Sequence, residues 1–157
     1  MTMQKATFGA GCFWHVQYEF SKTEGVTATT AGYMGGDETR FPHPSYKQVC
    51  SGTTGYIEVV EVEFDDTKIS YDKLLDIFWN MHDPTTDDRQ GPDVGKEYQS
   101  RIFTYNKDQQ QRAENSKTKL QKKIGHVATR ILPAATFFRA EEYHQDYIKK
   151  TGRKVCG

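Results

Sequence analysis

"YIEVVEVEFD", residues 56–65, is the stretch from which the architecture can be read. Successive side chains of a strand point to opposite faces. Tyr56, Glu58, Val60, Val62 and Phe64 therefore share one face, and Ile57, Val59, Glu61 and Glu63 the other. Glu61 and Glu63 suit a face turned outward. Glu58 is the misfit, because its four companions are apolar or aromatic. A carboxyl in such surroundings resists ionisation, and one still protonated near neutral pH is a general acid. The competing reading leaves Glu58 wet at a protruding strand end, or paired with an arginine.

Working outward, "KATF" (5–8) reads as a short strand closed by Gly9 and Gly11. Phe13, Val16 and Phe20 then recur at helical spacing, which predicts a helix over about 12–21. "GVTATTAGY" (25–33), "RIFTY" (101–105) and "HVATRILP" (126–133) read as strands. "SYDKLLDIFWNMHD" (70–83) reads as a helix with Ser70 as N-cap, and 107–125 as a charged surface helix closed by Gly125. "AEEYHQDYIKK" (140–150) reads as a last helix, followed by a short tail over about 151–157. Residues 35–55 and 84–100 are polar and rich in turn formers, so both read as long functional loops. Strands and helices mingle without regular alternation. The expected class is α+β, a two-layer sandwich of helices on a mixed sheet, in a single domain over 1–157.

Lysine plus arginine (21) balance aspartate plus glutamate (21), so charge supplies no case for nucleic acid or an acidic membrane as partner. No run approaches the roughly 20 apolar residues of a membrane span, and the start does not read as a signal peptide. The expectation is a soluble, cytoplasmic monomer. The three cysteines, Cys12, Cys50 and Cys156, are too few and too far apart for a secreted disulfide framework.

Cys12 follows Gly-Ala-Gly and opens the first helix. Unpaired N–H groups and a partial positive charge at a helix start favour thiolate over thiol. Small residues before it let a substrate approach the sulfur. The alternative is a buried, inert thiol. His15, three residues on, either adds to that field or faces solvent without a role. Phe13 and Trp14 are core packing or the wall of a cleft. Tyr46 and Tyr98, in the two long loops, offer hydroxyl donors to a polar oxygen. Asp93 orients such a donor or fixes its turn. Cys156, on the tail, can swing to meet another sulfur or is an ordinary exposed thiol, whereas Cys50 reads as structural. Cys12 and His15 have C-x-x-H spacing, but no second ligand pair accompanies them, which argues against closed four-ligand zinc.

Four motifs in order resemble the peptide methionine sulfoxide reductase A family, and the resemblance spans nearly the whole chain. They are "GCFW" at 11–14, "HPSYKQVCSGTTGYIE" at 43–58, "FWNMHDP" at 78–84 and "RQGPDVGKEYQS" at 89–100, with a late "HQDY" at 144–147. The resemblance implies a ferredoxin-like core and reduction of methionine-S-sulfoxide, free or in proteins. It implies Cys12 as nucleophile, Glu58 as acid, and Tyr46 and Tyr98 as oxygen-binding hydroxyls. Phe13 and Trp14 become the pocket for the substrate methyl, and Asp93 an active-site aspartate. It further implies a Cys12 sulfenic acid, a Cys12–Cys156 disulfide, recycling by thioredoxin, and no metal or organic cofactor.

Departures from the family pattern are His15 for glycine, Gln17 for glutamate, Tyr56 for histidine, and a single tail cysteine. Whether Cys156 or Cys50 resolves the sulfenic acid stays open at this level. The rival is another thiol reductase, such as a peroxide-reducing enzyme, which would use Cys12 and Cys156 but would not require Glu58.

Overall fold

The computed structural model describes residues 3 to 153. Strands β1 (Met3–Gly9), β2 (Val26–Met34), β3 (Ile57–Asp65), β6 (Arg101–Thr104), β7 (Arg130–Pro133) and β8 (Phe138–Arg139) form one sheet in the order β7-β6-β1-β3-β2-β8. β4 (Arg89–Gln90) and β5 (Asp93–Val94) form a separate small hairpin. The helices are α1 (Phe13–Ser21), α2 (Tyr46–Cys50), α3 (Tyr71–Asn80), α4 (Lys107–Ile124) and α5 (Tyr147–Thr151), with 3-10 turns at Lys96–Tyr98 and Glu142–His144.

Neighbouring strands pair antiparallel except β6 and β7, which run parallel. The sheet is mixed, as expected. Its centre has the ferredoxin-like order: β1, α1, β2, β3, α3 and β6 follow one another in the chain, and the four strands lie side by side as β6-β1-β3-β2.

Alternation along β3 explains the layering. Val60, Val62 and Phe64 join the main core with α1 and α3, while Ile57 and Val59 pack with Met34 and Phe103 in a smaller second cluster. Glu61 and Glu63 stay half-buried, so only the second half of the strand has a wet face. Phe8 of β1 ties the helical layer together. Its ring centroid lies 5.2 Å from that of Phe20 on α1 and 5.2 Å from that of Phe78 on α3. Burying such a ring stabilises by about 1.5–3 kcal/mol. α3 buries Tyr71, Leu74, Leu75 and Phe78, one helical stripe, and Ser70 caps it by accepting the Lys73 N–H at 3.1 Å. α4 buries only Gln109 and Ala113, and Gly125 (φ 91) ends it.

Four expectations need correction. The segment 35–55 is not all loop, because Ser45 and Gln48 form a reciprocal capping box that starts α2. The segment 84–100 contains the β4–β5 hairpin and a 3-10 turn. The helix expected over 140–150 is broken: a 3-10 turn ends at His144, Asp146 is left-handed (φ 53), and only then does α5 begin. Gln145 imposes the break. Its side chain reaches Ala31 on β2, accepting the N–H and donating to the C=O, each at 2.9 Å. The expected strand over 126–133 is confined to 130–133, and β8 had no sequence signal. Most of the tail lies outside the described residues.

Candidate active site

Cys12 is the N-cap residue of α1, with extended backbone (φ −60, ψ 123). The glycine before it, Gly11, has φ +90, and a Cβ there would lie 2.8 Å from Gln90 Cβ. Glycine thus lets the hairpin close over the helix start. Cys12 is half-buried and disulfide-bonded in this structure.

Glu58 meets the same helix start. Its Oε1 accepts the Phe13 N–H at 3.1 Å, so a carboxyl caps the first amide of α1. The residue is 1% exposed, and its Oε2 is buried with no hydrogen-bond partner among the described residues. Burial pushes its pKa well above the usual carboxylate range; the Phe13 amide pulls it down, and Glu97 and Asp93 push it up again. Oε1 thus accepts a hydrogen bond, and burial favours the protonated form of the carboxyl.

Two tyrosines flank this acid. Tyr46 is the first residue of α2, and its N–H donates to Glu141 Oε2 at 3.0 Å. The other Glu141 oxygen accepts the Tyr33 hydroxyl at 2.9 Å, which fastens α2 to β2. Tyr98 ends the Lys96–Tyr98 turn. Burial raises both the Tyr46 and Tyr98 phenols, and the nearby Glu58 raises them further, so both remain hydrogen-bond donors at any physiological pH. Asp93, half-buried in β5, is also pushed up by burial.

The apolar side is aromatic. Phe13 is 1% exposed, and its ring lies 6.4 Å from Tyr46 and 5.1 Å from His144, centroid to centroid. Trp14 is half-buried, stacks on Tyr147 at 3.8 Å, and donates its indole N–H to His144 Nδ1 at 2.9 Å. With Nδ1 accepting, the neutral His144 ring carries its proton on Nε2. That atom is buried and has no partner among the described residues.

Of the expected residues, Cys12, Phe13, Trp14, Tyr46, Glu58, Asp93 and Tyr98 gather around one helix start. Cys156 lies outside the described residues. Cys50, read as structural, is free and exposed; burial raises its thiol pKa, and Tyr46, Glu58 and Glu97 also act on it. His15, half-buried on α1, lies within electrostatic range of His82, whose pKa burial pushes down to about 4. Glu141 and His144 were missed, because "AEEYHQDY" reads as an amphipathic helix. Glu97 was missed because it sits in a polar loop beside Tyr98. Among the described residues no cluster of three His, Cys, Asp or Glu is placed to hold a metal ion.

The family model for peptide methionine sulfoxide reductase matches residues 4–157. The chain belongs to the peptide methionine sulfoxide reductase family. It is 52% identical to the peptide methionine sulfoxide reductase MsrA of Geobacter sulfurreducens over 158 residues, which covers 99% of this chain and 96% of that protein. Among solved structures it resembles Mxr1 of Saccharomyces cerevisiae in its reduced form, with TM-score 0.93 and 34% identity, covering 98% of this chain and 88% of that one. A structure of Mxr1 in complex with Trx2 matches in fold, with TM-score 0.64 and 23% identity over 92% and 84% of the two chains. The reductase motifs read in the sequence map onto the site: "GCFW" opens α1, 43–58 supplies α2 and the start of β3, and 89–100 supplies the hairpin and the Tyr98 turn. Among the described residues no helix is long and apolar enough to cross a membrane.

Proposed function

We propose that this single domain reduces methionine-S-sulfoxide, free and in proteins, to methionine, with Cys12 as nucleophile and Glu58 as acid. The supporting observation is the buried Glu58 Oε2, without a hydrogen-bond partner among the described residues, beside the helix start that Cys12 opens. Sulfoxide sulfur becomes electrophilic when its oxygen is protonated or strongly hydrogen-bonded. The Cys12 sulfur, as thiolate, attacks that sulfur while the Glu58 proton passes to the oxygen. The Tyr46 and Tyr98 hydroxyls hold the oxygen as its charge develops, a contribution of a few kcal/mol per donor in comparable sites. Phe13 and Trp14 take the substrate methyl, and Asp93 borders the pocket.

The sulfoxide S–O bond and the transient bond between the two sulfurs break as the hydroxyl passes to Cys12. Methionine leaves, reduced by two electrons, and Cys12 becomes a sulfenic acid, oxidised by two. The proton lost when the thiol ionised replaces the one Glu58 gave up, so the sum is thiol plus sulfoxide to sulfenic acid plus sulfide. The Cys156 thiol then displaces the sulfenic hydroxyl, giving a disulfide and water, and an external dithiol of thioredoxin type restores both thiols. The Mxr1–Trx2 complex supports that class of reductant, and the reducing interior of a cell is the compartment that supplies it. The chemistry calls for no metal or organic cofactor.

Methionine release in a single turnover tests the scheme. Cys12→Ser is expected to release none, and Cys156→Ser one methionine per protein before stalling with thioredoxin. Turnover by Cys12→Ser overturns the scheme. Normal recycling by Cys156→Ser moves the resolving role to Cys50 or to the reductant itself. Faster turnover with hydrogen peroxide than with methionine sulfoxide points to the rival reductase.

A further inference from the structure

The mechanism above leaves one buried carboxyl without a task. Glu97 is the middle residue of the Lys96–Tyr98 turn and is only 4% exposed. A glutamate in a surface turn ordinarily points to water. This one is turned inward, and the backbone makes room for it. Gly95, just before it, has φ +154, and a Cβ there would collide with the Glu97 carboxyl. The turn packs on β3, the strand that carries Glu58. Two carboxyls, 1% and 4% exposed, thus lie on elements in contact.

Among the described residues, the groups that act on Glu58 are acidic or neutral. α1 presents the Phe13 N–H, with Cys12 one residue before it. β2 presents Tyr33, and α2 presents Tyr46 and Cys50. β5 presents Asp93, and the turn presents Glu97 and Tyr98. Two carboxyls that share a poorly solvated site do not both ionise readily. Burial, and then the nearby Glu97 and Asp93, favour the proton-bearing form of Glu58.

Resting on the assignment of Glu58 as acid, we propose that Glu97 is a positioning residue for the reduction, a second buried carboxyl that acts through Glu58 and keeps it in its proton-bearing form. Glu97 does not touch the substrate. Its contribution is to the pH range over which the acid is loaded, and Gly95 is the residue that lets it lie against the site.

The test is the pH dependence of single-turnover methionine release in the full chain, wild type against Glu97→Gln, Glu97→Asp and Glu58→Gln. The alkaline limb of the profile, where Glu58 loses its proton, is expected to move about one pH unit lower in Glu97→Gln. Above both limbs that variant is then about tenfold slower than wild type. Glu97→Asp, which keeps the charge but withdraws it, is expected to fall between. A merely structural role lowers the rate at every pH and leaves the limb in place, and a limb unmoved in both Glu97 variants overturns the proposal. If Glu58→Gln retains the wild-type limb, the assignment of Glu58 itself fails, and the two failures are told apart.

Discussion

The Glu58 carboxyl and the Phe13 amide meet at 3.1 Å, so the acid of β3 caps the helix that begins at Cys12. One contact ties a strand in the middle of the sheet to the first turn of α1. It also commits one carboxyl oxygen, while the other, Oε2, is buried with no hydrogen-bond partner among the described residues.

Glu58→Gln separates those two jobs. A glutamine carbonyl can still accept the Phe13 N–H, while the acidic proton is gone. Methionine release in the first turnover is expected to slow by about 100-fold or more. The circular dichroism spectrum should stay native. An unchanged rate would remove Glu58 from the mechanism.

Stability should carry the same mark. Burial raises the folded-state pKa of Glu58 above its unfolded value, so the native state holds a proton that the unfolded chain releases. The contribution is fully present below the unfolded carboxylate pKa and is lost as pH rises through the folded one. Between about pH 4 and the alkaline limb, the wild-type midpoint in urea should fall relative to that of Glu58→Gln. Parallel midpoints across that range would show that Glu58 titrates normally.

Glu141 holds Tyr33 and the first amide of α2 with its two oxygens. Glu141→Ala leaves the fully buried Tyr33 hydroxyl without that partner and frees the start of α2. Because Glu141 itself is partly exposed, the expected loss is about 1–2 kcal/mol in urea unfolding. Turnover should fall as well, since Tyr46 is no longer held. Full activity in a destabilised variant would show that Tyr46 needs no such anchor.

Trp14→Phe keeps a ring against Tyr147 but deletes the hydrogen bond to His144 Nδ1. That bond fixes the tautomer that presents the His144 Nε2 proton. The expected result is a several-fold lower kcat/KM with little change in thermal midpoint. Equal kinetics in the two proteins would leave His144 a packing residue.

Much of this was legible because its signals are local. The strand at 56–65 alternates, and Glu58 breaks the alternation. Ser70 and Gly125 announce the ends of α3 and α4. The losses came where long-range bonds override local pattern. Residues 140–150 have helical periodicity, yet Gln145 finds backbone partners on β2 and breaks the helix. Glu97 lies in a polar loop, and only its packing beneath Gly95 distinguishes it from a solvated neighbour. β8, two residues long, exists because β2 offers it a partner, not because "FR" prefers a strand.

The bonds that Gln145 makes have a consequence for the free side of β2. Ala31 gives both its polar backbone groups to that side chain, the Thr29 carbonyl accepts Gln17 Nε2 at 3.1 Å, and β8 covers Gly32 and Tyr33. An uncovered strand margin is a template for aggregation. Here two amides masquerade as the missing strand, and the stretch that brings His144 against Phe13 and Trp14 also shields the molecule from zippering onto a stranger's chain.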